Sequence, residues 1–270
     1  MSASTSVHEA PEVSRSSAFP DVFSLKGQHA LVTGGGTGIG LAIAHCLSLA
    51  GARVTIAGRR LDVLERAASE IGHGCAVARL DIADVDGLEG FEADLSSSYG
   101  PVQILVNNAG NTVKKPFEDS TPADLNRVLD VHLRGALELS RHVIRRQLPN
   151  GGGTILFIAS MTSFIGQPNV LPYTVAKTAL TGAARGLSAE FASRGIRVNA
   201  VAPGWIDTDM FRQATERDPA RRVKILSRIQ TRALGDASDV GWACVYLASS
   251  AARYVTGHTL LVDGGGAIGF

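Results

Sequence analysis

From residue 29 onward, short apolar runs alternate with longer stretches in which apolar residues recur every three or four positions. The short runs cover 29–33, 53–57, 75–81, 103–107, 153–160, 196–203 and 259–263; the longer ones cover 38–50, 60–71, 84–98, 122–148, 172–194 and 236–249. Runs such as "HALVT", "QILVN" and "TLLVD" carry few charges, as strands buried on both faces do. The alternation predicts an α/β fold, doubly wound, with a seven-stranded parallel sheet and helices on both faces. Crossovers in such a sheet are right-handed, so the loops that follow the strands gather along one edge, and ligands bind where the strand order switches. Chemistry is to be sought just after the strand ends. One long segment, 205–235, stands outside the alternation after the sixth run and reads as a substrate loop.

Between the first run and the first helical stretch lies "TGGGTGIG", residues 33–40, with five glycines in eight residues. Ordering glycine is entropically costly, which suits a place where something approaches the main chain closely. Gly34, Thr37, Gly38, Ile39 and Gly40 sit where a tight turn, a pyrophosphate and the positive end of a helix dipole coincide. A turn that only packs a helix on a sheet would read the same on the glycines alone. With a dinucleotide as ligand the sheet is Rossmann-like, and about 20 residues later an acid would bind the 2′-hydroxyl of NAD. Here Gly58 stands in that place and Arg59 and Arg60 follow. A guanidinium suits phosphate, and cations at a helix start oppose the dipole, so they need some reason to be there. NADP(H) is favoured; NAD(H) stays as the alternative, because Thr37 adds no second cation for a 2′-phosphate.

Composition narrows the partners. A chain of 270 residues, 45% hydrophobic and 19% charged, suits one large core. One domain is expected over 21–270, after a flexible tail at 1–20 that is rich in Ser, Ala and Pro and lacks the apolar block of a secretory signal. Twenty-six Lys and Arg against 25 Asp and Glu leave a net charge of +1, which gives nucleic acid or an anionic membrane little to grip. No apolar run reaches the length of about 18 residues needed to span a bilayer. Cys46, Cys75 and Cys244 are far apart, without a CxxC pair, and read as buried free thiols of a cytoplasmic protein; the histidines show no metal-ligand spacing.

Three further strand ends carry candidate chemistry. "NNAG" follows the fourth run, and its small residues would let the backbone of Asn108, Ala109 and Gly110 lie against a cofactor, while Asn107 could tie adjacent strand ends together. Ser160 ends the fifth run. Tyr173 and Lys177, in "PYTVAK", are four apart and share one face of a helix. A YxxxK pair is common by chance, and a lone tyrosine on a helix is more often core than catalyst.

In this order and at these strand ends, TGGGTGIG, NNAG, Ser160, YTVAK, "VAPGWIDT" and "YVTGHTLLVDGG" together resemble the short-chain dehydrogenase/reductase family over about residues 25–270. The resemblance implies an NAD(P)-dependent oxidoreductase acting on a small carbonyl or alcohol, needing no metal. It makes Tyr173 the general acid or base, Lys177 its electrostatic support and a ribose contact, and Ser160 a donor to the substrate oxygen. It makes Asp81 and Ile82 adenine contacts and sets Pro203, Gly204, Ile206 and Thr208 beside the nicotinamide. The family's fourth catalytic residue is an asparagine in the helix after NNAG; this chain has His132 there, which puts the proton relay in question. The stretches "IASMTSFIGQPNVLPYTVAK" and "APGWIDTDM" look most like a gluconate 5-dehydrogenase-like, sugar-acid branch. The rivals are a 3-oxoacyl carrier-protein reductase and a catalytically silent dinucleotide sensor or scaffold. A homotetramer is expected from the resemblance alone.

Overall fold

A computed structural model describes residues 20–208, 211–212 and 218–269. Residues 1–19 of the expected tail, and 209–210 and 213–217 of the expected substrate loop, lie outside the described residues. The seven apolar runs form strands β1 (His29–Thr33), β2 (Arg53–Gly58), β3 (Ala76–Arg79), β4 (Ile104–Asn107), β5 (Gly153–Ile158), β6 (Ile196–Pro203) and β7 (Thr259–Val262). They pair in the order β3-β2-β1-β4-β5-β6-β7, every pairing parallel. The chain winds outward from β1 to β3 and then returns to β4, which makes the β1–β4 boundary the switch point.

The helices are α1 (Gly38–Leu49), α2 (Leu61–Ile71), α3 (Leu88–Tyr99), α4 (Pro122–Leu129), α5 (Gly135–Gln147), α6 (Leu171–Phe191), α7 (Pro219–Arg228) and α8 (Ala237–Ala248). Successive strand residues point to opposite faces. Ala30 and Val32 of β1 therefore join Leu47 of α1, Leu64 of α2 and Val240 of α8, whereas Leu31 joins Leu95 of α3, Leu139 of α5 and Leu180 of α6. These are the two helical layers that the low charge of the strands requires. Among the described residues no helix is long and apolar enough to cross a membrane. The three cysteines are free; burial pushes the Cys46 and Cys75 thiols up to about 11 and Cys244 higher still.

Two elements differ from the pattern read along the chain. The single helix expected at 122–148 is broken between α4 and α5 by a π-helical turn, Asp130–Arg134. Such a turn inserts a residue into the helical register and re-aims its side chains, here those around His132. The segment at 205–235 holds a helix, α7, whose start is capped by Asp218 accepting from the Arg221 N–H at 3.0 Å. Its base is closed by Asp207 N–H to Gly235 O at 2.8 Å and Gly235 N–H to Trp205 O at 3.0 Å.

Candidate active site

At the switch point the ends of β1 and β4 are tied by side chains. Thr33 Oγ1 accepts from the Asn108 and Ala109 N–H groups at 3.0 and 3.1 Å, and Asn108 Nδ2 donates to Thr33 O and Gly34 O at 3.0 and 3.1 Å. The tying residue is thus Asn108, not Asn107 as the sequence suggested. Neighbouring residues at a strand end face opposite ways, and Asn107 Nδ2 reaches Ser140 of α5 instead, at 2.9 Å.

The glycines of the turn are of two kinds. A Cβ on Gly34, whose φ is +65°, would lie 2.9 Å from Ala109 Cα, and one on Gly40 would overlap the Gly34 carbonyl. These two let the turn close against Asn108 and Ala109. Gly38 also has a left-handed backbone, φ +55°, yet a Cβ there would meet only Thr208, at 3.9 Å. Its bare face is open to a cavity.

Behind Gly38, α1 starts without a capping bond from Thr37 and without an acid in its first turn. By contrast α4 and α8 carry complete capping boxes, Thr121 with Asp124 and Asp236 with Asp239. Free N–H groups at a helix start, fronted by bare backbone, suit a pyrophosphate. The residues present therefore fit a dinucleotide.

The cavity, about 910 Å³, is lined by Gly34, Thr37, Gly38, Ile39 and Gly40, by Arg59 and Arg60 after β2, and by Asp81 and Ile82 after β3. Asn108, Ala109 and Gly110 after β4 and Pro203, Gly204 and Thr208 after β6 line it too, as do His132, Ser160, Tyr173 and Lys177. Ile206 does not: it is 5% exposed, packed in the core, and bridges Gly235 across the base of the 205–235 segment. Arg60 is the N-cap of α2 with no side-chain capping bond, and Asp81 Oδ1 accepts from Ala83 N–H at 3.1 Å, closing a local turn.

At the far end of the lining, Ser160 Oγ accepts from Thr162 N–H at 3.2 Å, which leaves the hydroxyl proton free to donate. Tyr173 and Lys177 lie one turn apart on α6, and Lys177 Nζ is 5.4 Å from the Tyr173 ring centre while donating to Ile158 O at 2.5 Å. Burial pulls the Lys177 ammonium down to about 7. Burial also pushes the Tyr173 phenol above its ordinary value, against an opposing pull from the Ser160 hydroxyl.

His132 is buried, with its ring 5.5 Å from that of Tyr173 at 89°. Its Nε2 faces both Asn111 O at 2.7 Å and Asn111 N–H at 3.0 Å, and its Nδ1 has no partner. Desolvation, then the Lys177 charge, lower its pKa to about 3, so the ring is neutral at any working pH. Gly110 is bare for a steric reason, because a Cβ there would lie 2.5 Å from His132 Cε1.

The family profile described as enoyl-(acyl carrier protein) reductase matches residues 34–266. A 2-dehydro-3-deoxy-D-gluconate 5-dehydrogenase of Bacillus subtilis (strain 168) is 39% identical over 247 residues, 91% of this chain and 96% of that protein. The chain belongs to the short-chain dehydrogenase/reductase family. An NADP-dependent (R)-specific alcohol dehydrogenase of Lentilactobacillus kefiri is 36% identical over 249 residues, 89% of this chain and 97% of that one. Among solved structures, a gluconate 5-dehydrogenase from Burkholderia cenocepacia J2315 in complex with NADP and tartrate matches with a TM-score of 0.88 at 31% identity, covering 92% of this chain and 98% of that one.

Within this short-chain dehydrogenase/reductase fold, the cavity has walls that motif reading missed. Thr33 joins the strand ends, and Asn111, Thr112, Gln167 and Val170 line the space with Tyr173. Asn111 and Thr112 directly follow NNAG, so position after a strand end was a usable signal for them. Gln167 lies in the loop between Ser160 and α6, where nothing in the local pattern separates a lining residue from a solvated one.

Proposed function

We propose that this protein is an NADP(H)-dependent oxidoreductase that interconverts a secondary alcohol and a ketone on a small, hydroxyl-rich substrate, the class to which sugar acids and polyols belong. The observation that carries the reading is one continuous cavity whose lining includes both the glycine turn with Arg59 and the Ser160, Tyr173 and Lys177 group. Gly34 to Gly40 and the start of α1 would hold the pyrophosphate, and Arg59 the 2′-phosphate. When bound, the nicotinamide supplies or accepts the hydride.

The chain's own residues handle the oxygen and its proton. Ser160 donates to the substrate oxygen as negative charge gathers there. Tyr173 passes the proton: as a phenol it protonates the nascent alkoxide, and as a phenolate it takes the proton of an alcohol. Lys177, when charged, makes the phenolate cheaper to form. His132 holds Asn111 through its backbone and stands against the Tyr173 ring, where a neutral imidazole can receive and pass on a proton. Thr208, at the start of the 205–235 segment, lines the same cavity. A homotetramer in the cytoplasm belongs to the same reading, supported by exposed Leu125, Leu171 and Val175 on α4 and α6.

A panel of ketones and alcohols followed by NADPH absorbance tests the proposal. Turnover with NADPH exceeding that with NADH is the expected result. No turnover with any carbonyl, together with intact dinucleotide binding, would favour a silent sensor. A marked preference for 3-oxoacyl thioesters would favour the acyl reductase reading.

A further inference from the structure

The 205–235 segment leaves the sheet at the end of β6, and the turn that follows β7 touches it at two places. β7 runs beside β6, with Val262 opposite Pro203 and the Gly204 N–H donating to Val262 O at 2.9 Å. Asp263, the next residue, packs on the bare face of Gly204, where a Cβ would lie 2.6 Å from its Cα. Pro203 and Gly204 line the cavity. β6 stands next to β5, which leads to Ser160, and four places from β2, which leads to Arg59; at roughly 4.8 Å per strand the latter is about 19 Å away. Gly204 is thus a wall of the half of the cavity that holds Ser160 and Tyr173, not of the half beside the arginines.

Asp263 builds the turn. Its Oδ1 accepts from Gly265 N–H at 3.0 Å, its Oδ2 from Ala267 N–H at 2.8 Å and its carbonyl from Gly266 N–H at 3.0 Å. A carboxylate that takes the N–H groups two and four residues on closes the chain tightly around itself. Gly264 and Gly265, at φ +59° and +83°, supply the left-handed backbone such a path needs. Thr231 N–H then donates to Gly264 O at 3.1 Å, and Arg228 Nε, at the end of α7, to Gly266 O at 3.0 Å. On its other side the turn meets Trp205, whose ring lies 3.2 Å from where a Cβ on Gly266 would stand. One short turn therefore joins Gly204 and Trp205, where the 205–235 segment begins, to Arg228 and Thr231 near its end.

We propose that Asp263 is a positioning residue for the nicotinamide half of the dinucleotide: through the turn it holds, it fixes the Pro203–Gly204 wall against which that half lies. The proposal rests on the NADP(H) reading. With alanine at 263 the Gly265 and Ala267 N–H groups lose their acceptors, the turn loosens, and the wall loses its backing. Arg59 stands four strands away and should hold its phosphate as before.

Calorimetric titration of the full chain with NADP⁺ and with adenosine 2′,5′-bisphosphate, which keeps the adenine and the 2′-phosphate but has no nicotinamide, separates the two halves. Asp263→Ala should weaken NADP⁺ by about tenfold and adenosine 2′,5′-bisphosphate by less than about twofold. Arg228→Ala changes an exposed residue and cuts only the far attachment of the turn; it should weaken NADP⁺ by about threefold with the same selectivity. Equal losses for the two ligands would mean a general loosening of the fold and overturn the proposal, as would unchanged NADP⁺ binding in both variants. If Asp263→Ala does not fold, Arg228→Ala decides alone. A wild type that binds neither ligand would overturn the NADP(H) reading and the proposal with it, whereas a wild type that binds both, with variants that lose nothing, overturns the proposal only.

Discussion

The two edges of the sheet are built from similar polar residues and put to opposite uses. At the edge where the strands begin, His29 is 1% exposed and fully paired: Nδ1–H donates to Gly100 O and Nε2 accepts from Thr55 Oγ1, each at 3.0 Å. Gln103 Oε1 receives the His29 N–H at 2.7 Å, and Arg197 Nη2 donates to Thr154 Oγ1 and Ala248 O at 3.0 and 3.1 Å. At the edge where the strands end, His132 is 3% exposed and half paired, and Asn107, Asn111, Thr162, Ser163 and Thr174 also carry buried side-chain atoms with no partner. Gln147 Oε1 is the exception at the first edge. Buried polar groups are normally satisfied; most of the exceptions among the described residues gather at this edge, and two of them, Asn111 and His132, belong to the cavity lining. The same residue type is structural at one end of the molecule and available at the other.

Substitutions at four residues sharpen that contrast or break it. Tyr173→Phe, at the ligand edge, should lower kcat by roughly 10²- to 10⁴-fold, the usual worth of a general acid or base, with thermal stability and NADPH affinity near wild type. A variant that keeps a tenth of the wild-type rate would remove Tyr173 from the chemistry. His29→Leu should do the reverse: it leaves Gly100 O and Thr55 Oγ1 buried without partners, costing roughly 2 to 4 kcal/mol of stability, while the folded fraction turns over normally. Lost activity at full stability would show that the two edges are not separate in function.

Arg59→Ala should weaken NADP(H) by about 1.5 to 3 kcal/mol, a charge-assisted pair, and leave NAD(H) nearly unchanged. Equal losses measured by fluorescence titration would deny it the 2′-phosphate. His132→Asn should have the smallest effect, under about tenfold in kcat, while His132→Leu, unable to hold Asn111 or pass a proton, should lose more.

The pH dependence of the His132 variants separates packing from titration. With its pKa lowered to about 3, His132 stays neutral between pH 5 and 8, so His132→Asn should leave the pH–rate profile there unchanged. Stability should respond instead. The unfolded imidazole titrates near 6.5, so the unfolded state binds the extra proton between that value and about 3, and the wild type loses stability as pH falls through the window. The asparagine variant should lose less over the same range in denaturant titrations. A profile that shifts between pH 5 and 8 would mean that the histidine carries charge during turnover.

By itself the sequence determined the seven strands and their helices, the edge where chemistry collects, and the Ser160, Tyr173 and Lys177 set. Apolar periodicity is local: it follows from 3.6 residues per helical turn and two per strand repeat, and motifs at strand ends inherit their places from it. Contacts across the sheet decided the rest. Asn108 took the tying role from Asn107 because of which way each faces at the end of β4, and Ile206 turned into the core because the 205–235 segment closes on Gly235. The helix at 122–148 opened into a π turn around His132. Desolvation in the folded molecule then lowered the pKa values of His132 and Lys177, and Lys115 of the loop after β4 found its partner in Asp124 of α4. Charge, unlike periodicity, is not a local property of the chain: it depends on how much water and which partners the folded molecule leaves around each group.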